Sequence, residues 1–322
     1  MNKICYGCGA KLQTKDATLP GYIPKEKENG SYCQRCFRLI HYGINNETNA
    51  PKSITSLINS INKENKLVIF LIPFLTVRSD IIEIYKKITS PKILVISKID
   101  IVPRSIKYTN IKNYLTGYYQ IADEIKFISS VSNIGIKSLL NYLSENKINE
   151  IVIAGESNSG KSTLINKILE EKKSTLSKVT TSNTPNTTLD FIRINVSKDL
   201  NIIDTPGFIL KTIELKSLNI SKKYIKPITF QMKSGETLQL DSSYLFFTEN
   251  ANITIYLNND ILIKKYYKEI FFEESIDVPA NNDLIIKGLG FINIKNATII
   301  KLHNLHSDLL EQRPSIFGGL NE

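Results

Sequence analysis

The sequence predicts a multidomain chain: a small cysteine-held module, an α/β domain with a mostly parallel sheet, and a β-rich C-terminal domain. Three observations predict it. All 4 cysteines fall before residue 40. From 54 to 210, short apolar runs alternate with helix-period segments, the pattern of a parallel sheet covered by helices. From 220 to 300 the runs shorten and are separated by Asn, Asp and Gly, as in an all-β domain. The boundaries read as 1–44, 54–215 and 216–322, with the polar stretch 45–53 as a linker.

Bulk properties narrow the class. The chain has 322 residues, of which 42% are hydrophobic, enough for more than one core. No apolar run reaches the length of a membrane-spanning helix. The first residues, MNKICYGCGA, lack the apolar stretch of a signal peptide. A cytoplasmic protein with no membrane partner is expected. The formal charge of +10 suits a phosphate-rich partner. It equally suits the heavy use of Ile, Asn and Lys in this sequence, and both readings stand.

Cys5-x-x-Cys8 and Cys33-x-x-Cys36 form two knuckles with 24 residues between them. Each knuckle brings two thiolates to one ion, and two knuckles complete a tetrahedral zinc site. A segment this short has little core of its own, and zinc supplies about 10–16 kcal/mol of apparent folding energy in such modules. Four thiolates leave no open position, so the zinc is structural. His41 lies just beyond as a further candidate ligand. Arg35, Arg38 and Lys11 are either phosphate contacts or a solvated basic face.

The candidate strands of the central domain are 67–72, 92–96, 125–129, 150–155, 191–196 and 200–204. GESNSGKS (155–162) matches G-x-x-x-x-G-K-S, follows a strand-like run and opens a helical one. That context defines a phosphate loop. Backbone N–H groups of Glu156, Ser157, Asn158, Ser159 and Gly160 turn toward the phosphates, with Thr163 next along the helix. Lys161 reaches the β- and γ-phosphates and Ser162 ligates magnesium. Downstream, LNIIDTPG ends in Asp204-Thr-Pro-Gly207. Its carboxylate suits the magnesium shell, and the Gly207 N–H suits the γ-phosphate. The Thr- and Ser-rich stretch between them reads as a switch that orders on nucleotide, with Thr188 as the candidate ligand and Thr187 second.

The base is read upstream. KILVISKID ends in Ser97-Lys98-Ile99-Asp100, similar to N-K-x-D. The Asp100 carboxylate accepts from N1–H and the exocyclic amine of guanine, a donor pair that adenine lacks. FISSVSNIGIKSLL places Ser129-Ser130-Val131 at the position of a fifth guanine-protein motif. The guanine motifs therefore precede the phosphate loop, a circular permutation that preserves the site when domain termini lie close together. The second switch then leads into the C-terminal domain, from which coupling of nucleotide state to that domain is expected.

These motifs, with YCQRCFRLIHY (32–42), SKIDIVP (97–103), TPNTTLD (184–190) and DLIIKGLGFINIK (283–295), resemble the YqeH-type circularly permuted GTPases, bacterial ribosome-assembly factors. The resemblance covers essentially the whole chain. It implies a zinc-ribbon-like module, a P-loop GTPase domain and a β-rich RNA-facing domain. It implies slow GTP hydrolysis in small-subunit assembly, with contact to rRNA. It makes Lys161, Ser162, Thr188, Asp204 and Gly207 phosphate and magnesium contacts and Lys98 and Asp100 guanine contacts. It makes Asn158 a support for potassium, in the part of an arginine finger. It places an apolar residue, Phe208, where many GTPases carry a water-orienting Gln, so no general base is assigned. The sequence departs from the pattern at Ser97 (for Asn), Val131 (for Lys) and Asn186 (for Gly), and its first strand lacks acidic residues. Ser97 is expected to weaken the buttress between guanine and the phosphate loop. An alternative reading of the same motifs is a nucleotide-gated RNA- or ribosome-binding module with little or no hydrolysis.

In the C-terminal domain, Lys211, Lys216, Lys222, Lys223 and Lys226, with Tyr224 and Phe230, are either an RNA-stacking surface or a lysine-rich face over core aromatics. His303 and His306 read as surface residues rather than ligands. Oligomeric state is not legible.

Overall fold

The protein is described by a computed structural model covering residues 11–15, 21–27, 30, 33–34, 53–103, 106–172, 191–212, 227–257, 261–267 and 272–318. Cys5, Cys8, Cys36, Arg35, Arg38, His41, Asn186, Thr187, Thr188, Lys216, Lys222, Lys223, Tyr224 and Lys226 lie outside these residues. The chain forms two compact units. One comprises Met1–Pro73, Glu83–Ile99 and Asp123–Ile209; the other comprises Phe74–Ile82, Asp100–Ala122 and Leu210–Glu322.

The first unit is built on a six-stranded sheet: β1 (Leu67–Pro73), β2 (Lys92–Ser97), β3 (Ile125–Phe127), β4 (Glu150–Gly155), β5 (Ile192–Ser197) and β6 (Leu200–Asp204). The strand order is β3-β2-β1-β4-β6-β5. All neighbours pair in parallel except β5 with β6. The mostly parallel sheet expected from the sequence is therefore present. Interior parallel strands are covered on both faces, which explains why LVIFLI is a continuous apolar run: Val68 to Ile72 are at most 1% exposed.

Helices α1 (Ile54–Glu64), α4 (Ile136–Glu145) and α5 (Lys161–Glu171) belong to this unit. Helix α1 starts where the Ser53 side chain accepts from Ser56 N at 3.0 Å, and it ends at Asn65 in the left-handed region. The inward faces of α4 (Ile136, Leu139, Leu143) and α5 (Leu164, Ile165, Ile168) join β1, β2, β4 and β6 in one core. Gly155, at the end of β4, has φ +151°, and a Cβ there would lie 2.5 Å from the Leu71 carbonyl oxygen. Gly155→Ala is expected to destabilise the fold by about 2–3 kcal/mol through backbone collision and strain, read as a lower urea midpoint.

The second unit holds two five-stranded sheets. One has the order β16 (Leu310–Pro314), β13 (Asn282–Ile286), β14 (Gly290–Ile294), β10 (Ala251–Leu257) and β7 (Ile228–Met232); the other has β11 (Ile263–Tyr267), β8 (Glu236–Leu240), β9 (Ser243–Phe247), β15 (Thr298–His303) and β12 (Glu274–Val278). Every pairing is antiparallel. Alternate residues of the two sheets, such as Leu238, Leu245, Ile253, Leu284, Ile292 and Ile300, form one core. The β-rich domain expected from the sequence is present. Phe230, a candidate base-stacking residue, instead packs against this core, because the alternation along β7 turns Phe230 and Met232 to the same side. Lys211, another candidate, pairs with Asp308.

The second unit also includes α3 (Tyr108–Tyr118) and the first turn of α2 (Ser79–Lys86). His303 and His306 are not without acidic partners: their Nδ1 atoms lie 2.8 Å from Glu273 Oε1 and 3.1 Å from Glu274 Oε1. Among the described residues no group of three or more His, Cys, Asp or Glu gathers to hold a metal ion.

Candidate functional site

Because β2, β3, β4 and β6 run parallel, their C-terminal ends share one edge of the sheet. That edge is where ligands bind open α/β sheets. The chain leaves β4 as the phosphate loop 155–160 and re-enters order at α5. Gly160 sits at the helix N-cap with φ +99°, and Asn158 takes φ +63°. Both turn backbone into the left-handed region, so N–H groups face the helix N-terminus, a favourable place for an anion.

Lys161 opens α5 and folds back over the loop. Its Nζ donates to the Gly155 and Glu156 carbonyls at 3.0 Å each. It is 5% exposed. Burial pulls its ammonium below the usual lysine range, while Asp204 and Glu156 act the other way. Asp204 ends β6 and is buried. Thr205, which sequence reasoning passed over, donates from both N (3.2 Å) and Oγ1 (3.0 Å) to the Ile153 carbonyl. These bonds fix the Asp204 strand end to the strand that carries the phosphate loop.

Gly207 and Phe208 complete the seam. Ser157 N donates to the Phe208 carbonyl at 2.8 Å, and the Phe208 ring is buried, its centroid 6.1 Å from that of Phe70. Phe208 thus serves as an apolar pin for the loop, and its side chain is spent in the core. The only early signal was its apolar character after D-x-x-G.

On the guanine side, Ser97 ends β2 and its Oγ donates to the Ser159 carbonyl at 2.8 Å, both residues being buried. The serine hydroxyl ties the end of β2 to the phosphate loop. Lys98 follows with φ +58° and an exposed side chain, and Asp100 lies on the one-turn helix Ile99–Ile101. Ser129 is fully buried: its Oγ accepts from Ser132 N at 3.1 Å, and its backbone pairs with Ile134. It holds the turn, on which Ser130 is half-buried and Val131 is 65% exposed. Ser97→Ala leaves the Ser159 carbonyl without its donor, and about fivefold weaker GDP binding is expected, measured by titration calorimetry.

A phosphate with magnesium fits these residues. Ser159 Oγ is buried with no hydrogen-bond partner among the described residues. A Cβ on Gly207 would stand 2.7 Å from Ser157 Oγ and 3.0 Å from Lys161 Nζ, so only glycine leaves the cradle open. The donor set of a serine hydroxyl and one carboxylate, completed by phosphate oxygens and water, suits magnesium. It needs no protein cage of carboxylates.

The fold and site define a P-loop GTPase whose guanine motifs come first in the chain. Residues 150–265 match the family described as 50S ribosome-binding GTPase. The match holds the phosphate loop and D-T-P-G but not Ser97 to Asp100, as the permuted order requires. It runs on into β7 to β11 of the second unit. The chain is 29% identical over 285 residues to YqeH of Bacillus subtilis strain 168, covering 81% of this chain and 77% of that protein. It is 30% identical over 238 residues to GTPase Der of Mycoplasma mycoides, covering 65% of this chain and 52% of that one. Among solved structures, YjeQ of Thermotoga maritima aligns with TM-score 0.30 and 22% identity over 44% of this chain and 48% of that one. The chain thus carries a GTPase domain of the matched family and is similar over most of its length to YqeH.

Proposed function

We propose that this protein uses slow GTP hydrolysis to time a step in assembly of the small ribosomal subunit, in the cytoplasm. The observation that carries the nucleotide reading is the Ser97–Ser159 bond. It ties the end of the strand that leads into the guanine motif to the phosphate loop.

On binding, Lys161 exchanges the Gly155 and Glu156 carbonyls for β- and γ-phosphate oxygens. The Gly207 N–H meets the γ-phosphate, and Asp204, Ser162 and Thr188 hold magnesium. Magnesium, when bound, offsets charge on the β- and γ-phosphates. Asn158 supports potassium in the same region. Phe208, pinned in the core, presents no base to the attacking water, which supports a slow intrinsic rate. It equally favours a second reading: a nucleotide-gated RNA or ribosome binder with little or no hydrolysis.

Zinc bound by Cys5, Cys8, Cys33 and Cys36 completes the proposal; Cys33 is buried at 2% exposure. Target contact is assigned to the C-terminal sheets, coupled to nucleotide through the chain that follows Gly207. The matched family's description names the 50S particle, whereas resemblance along the whole chain favours the small subunit. GTP turnover measured with small or large subunits, in potassium or sodium, separates these readings. Stimulation by small subunits in potassium is expected. Stimulation by large subunits alone would move the target, and binding without turnover in every arm would establish the second reading.

A further inference from the structure

The strand β16 holds, by several polar contacts, the two chain segments that reach the second unit from the middle of the sequence. Ser79 donates to Glu311 Oε1 from N at 2.9 Å and from Oγ at 2.8 Å. Arg313 donates from Nη1 to the Val77 carbonyl at 2.6 Å. Tyr114, on α3, donates to the Pro314 carbonyl at 2.8 Å. Arg313 and Asp283 are an ion pair at 3.1 Å, with both side chains fully buried. Asp283 also accepts from Ile316 N at 3.0 Å and Asn293 Nδ2 at 2.7 Å, so its oxygens are well supplied. The guanidinium lies 5.1 Å from the Phe291 ring centre.

The partners of this node lead back to the base-reading residue. Tyr114, Tyr118 and Tyr119 form one cluster, with centroids 4.8 to 6.1 Å apart. Burial raises the Tyr119 phenol, and the Arg313 guanidinium beside it pulls the other way. At the other end of α3, Tyr108 stands close enough to Asp100 for that carboxylate to add to the upward push that burial gives its phenol. Asp100 opens the segment Asp100–Ala122, which belongs to the same compact unit as β16.

We infer that Arg313 is a positioning residue for guanine recognition: through the tyrosine end of α3 it fixes the segment that carries Asp100. The inference rests on Asp100 reading guanine. A buried ion pair is a poor source of net stability but a directional one, and here its direction is set by the backbone it grips.

The test compares GDP with IDP, which lacks the exocyclic amine that Asp100 reads. The variants are Tyr114→Phe and the paired replacement Arg313→Met with Asp283→Asn, which leaves no buried charge unpaired. Affinities are measured by calorimetry on the full-length chain. The paired variant is expected to lower the GDP-over-IDP preference about fivefold or more, with IDP, which keeps only the N1–H contact, weakened less than GDP, and Tyr114→Phe is expected to lower the preference less. Equal loss for both nucleotides would reduce Arg313 to a folding role and overturn the inference. A wild-type preference retained by both variants would overturn it as well. No preference in the wild type would instead remove the guanine reading itself, and the inference with it.

Discussion

Lys161→Ala is expected to lower GTP turnover by about 100- to 1000-fold, the usual effect of removing one preorganised charge from a developing anion. The argument starts from where the side chain lies. Lys161 is buried, and its ammonium donates to the loop carbonyls of Gly155 and Glu156. Burial has already removed much of the water that would compete for the ammonium. A phosphate entering the loop finds a donor in place rather than one to be ordered. Alanine removes the charge without altering the helix start, since Gly160 provides the cap. Single-turnover hydrolysis at saturating GTP, with folding checked by circular dichroism, measures the effect. A loss below about tenfold would mean that Lys161 is not the γ-phosphate contact.

Arg313→Met alone is expected to cost about 3–5 kcal/mol, because it strands the Asp283 carboxylate in a fully buried position. The neighbouring donors Ile316 N and Asn293 Nδ2 remain, but neither carries a charge. Adding Asp283→Asn is expected to recover most of the loss, since the charge to be compensated is gone. Urea unfolding of the two variants measures the difference. Equal stability of single and double variants would show that the pair is not electrostatically coupled.

Much of this was legible in the sequence, and what was not has a physical pattern. The interior parallel strands β1, β2 and β4 are nearly continuous apolar runs, because strands covered on both faces leave little room for polar alternation. The phosphate loop is a local motif in which strand, loop and helix stand in a row. Strands β11, β12 and β16 are hard to read from sequence, and all three are sheet edges. Edge strands carry charge and even proline to blunt their unpaired side, so IKKYY, ESIDV and LEQRP read as polar linkers. The Arg313 node was invisible for another reason: its bond to Val77 joins residues 236 apart, and no local pattern announces a partner at that distance. Ser97 was legible as a departure from N-K-x-D, but only geometry shows that its hydroxyl still reaches Ser159.

The central proposal is that the chain prefers guanine nucleotides and that Asp100 supplies the preference, although its motif precedes the phosphate loop. The direct measurement is binding of a fluorescent GDP analogue, competed with GDP, GTP and ATP, for the wild type and Asp100→Asn. The account predicts that GDP and GTP compete at least about 100-fold better than ATP for the wild type, and that the variant loses most of that margin. Equal competition by ATP, or a guanine preference untouched by Asp100→Asn, would contradict it.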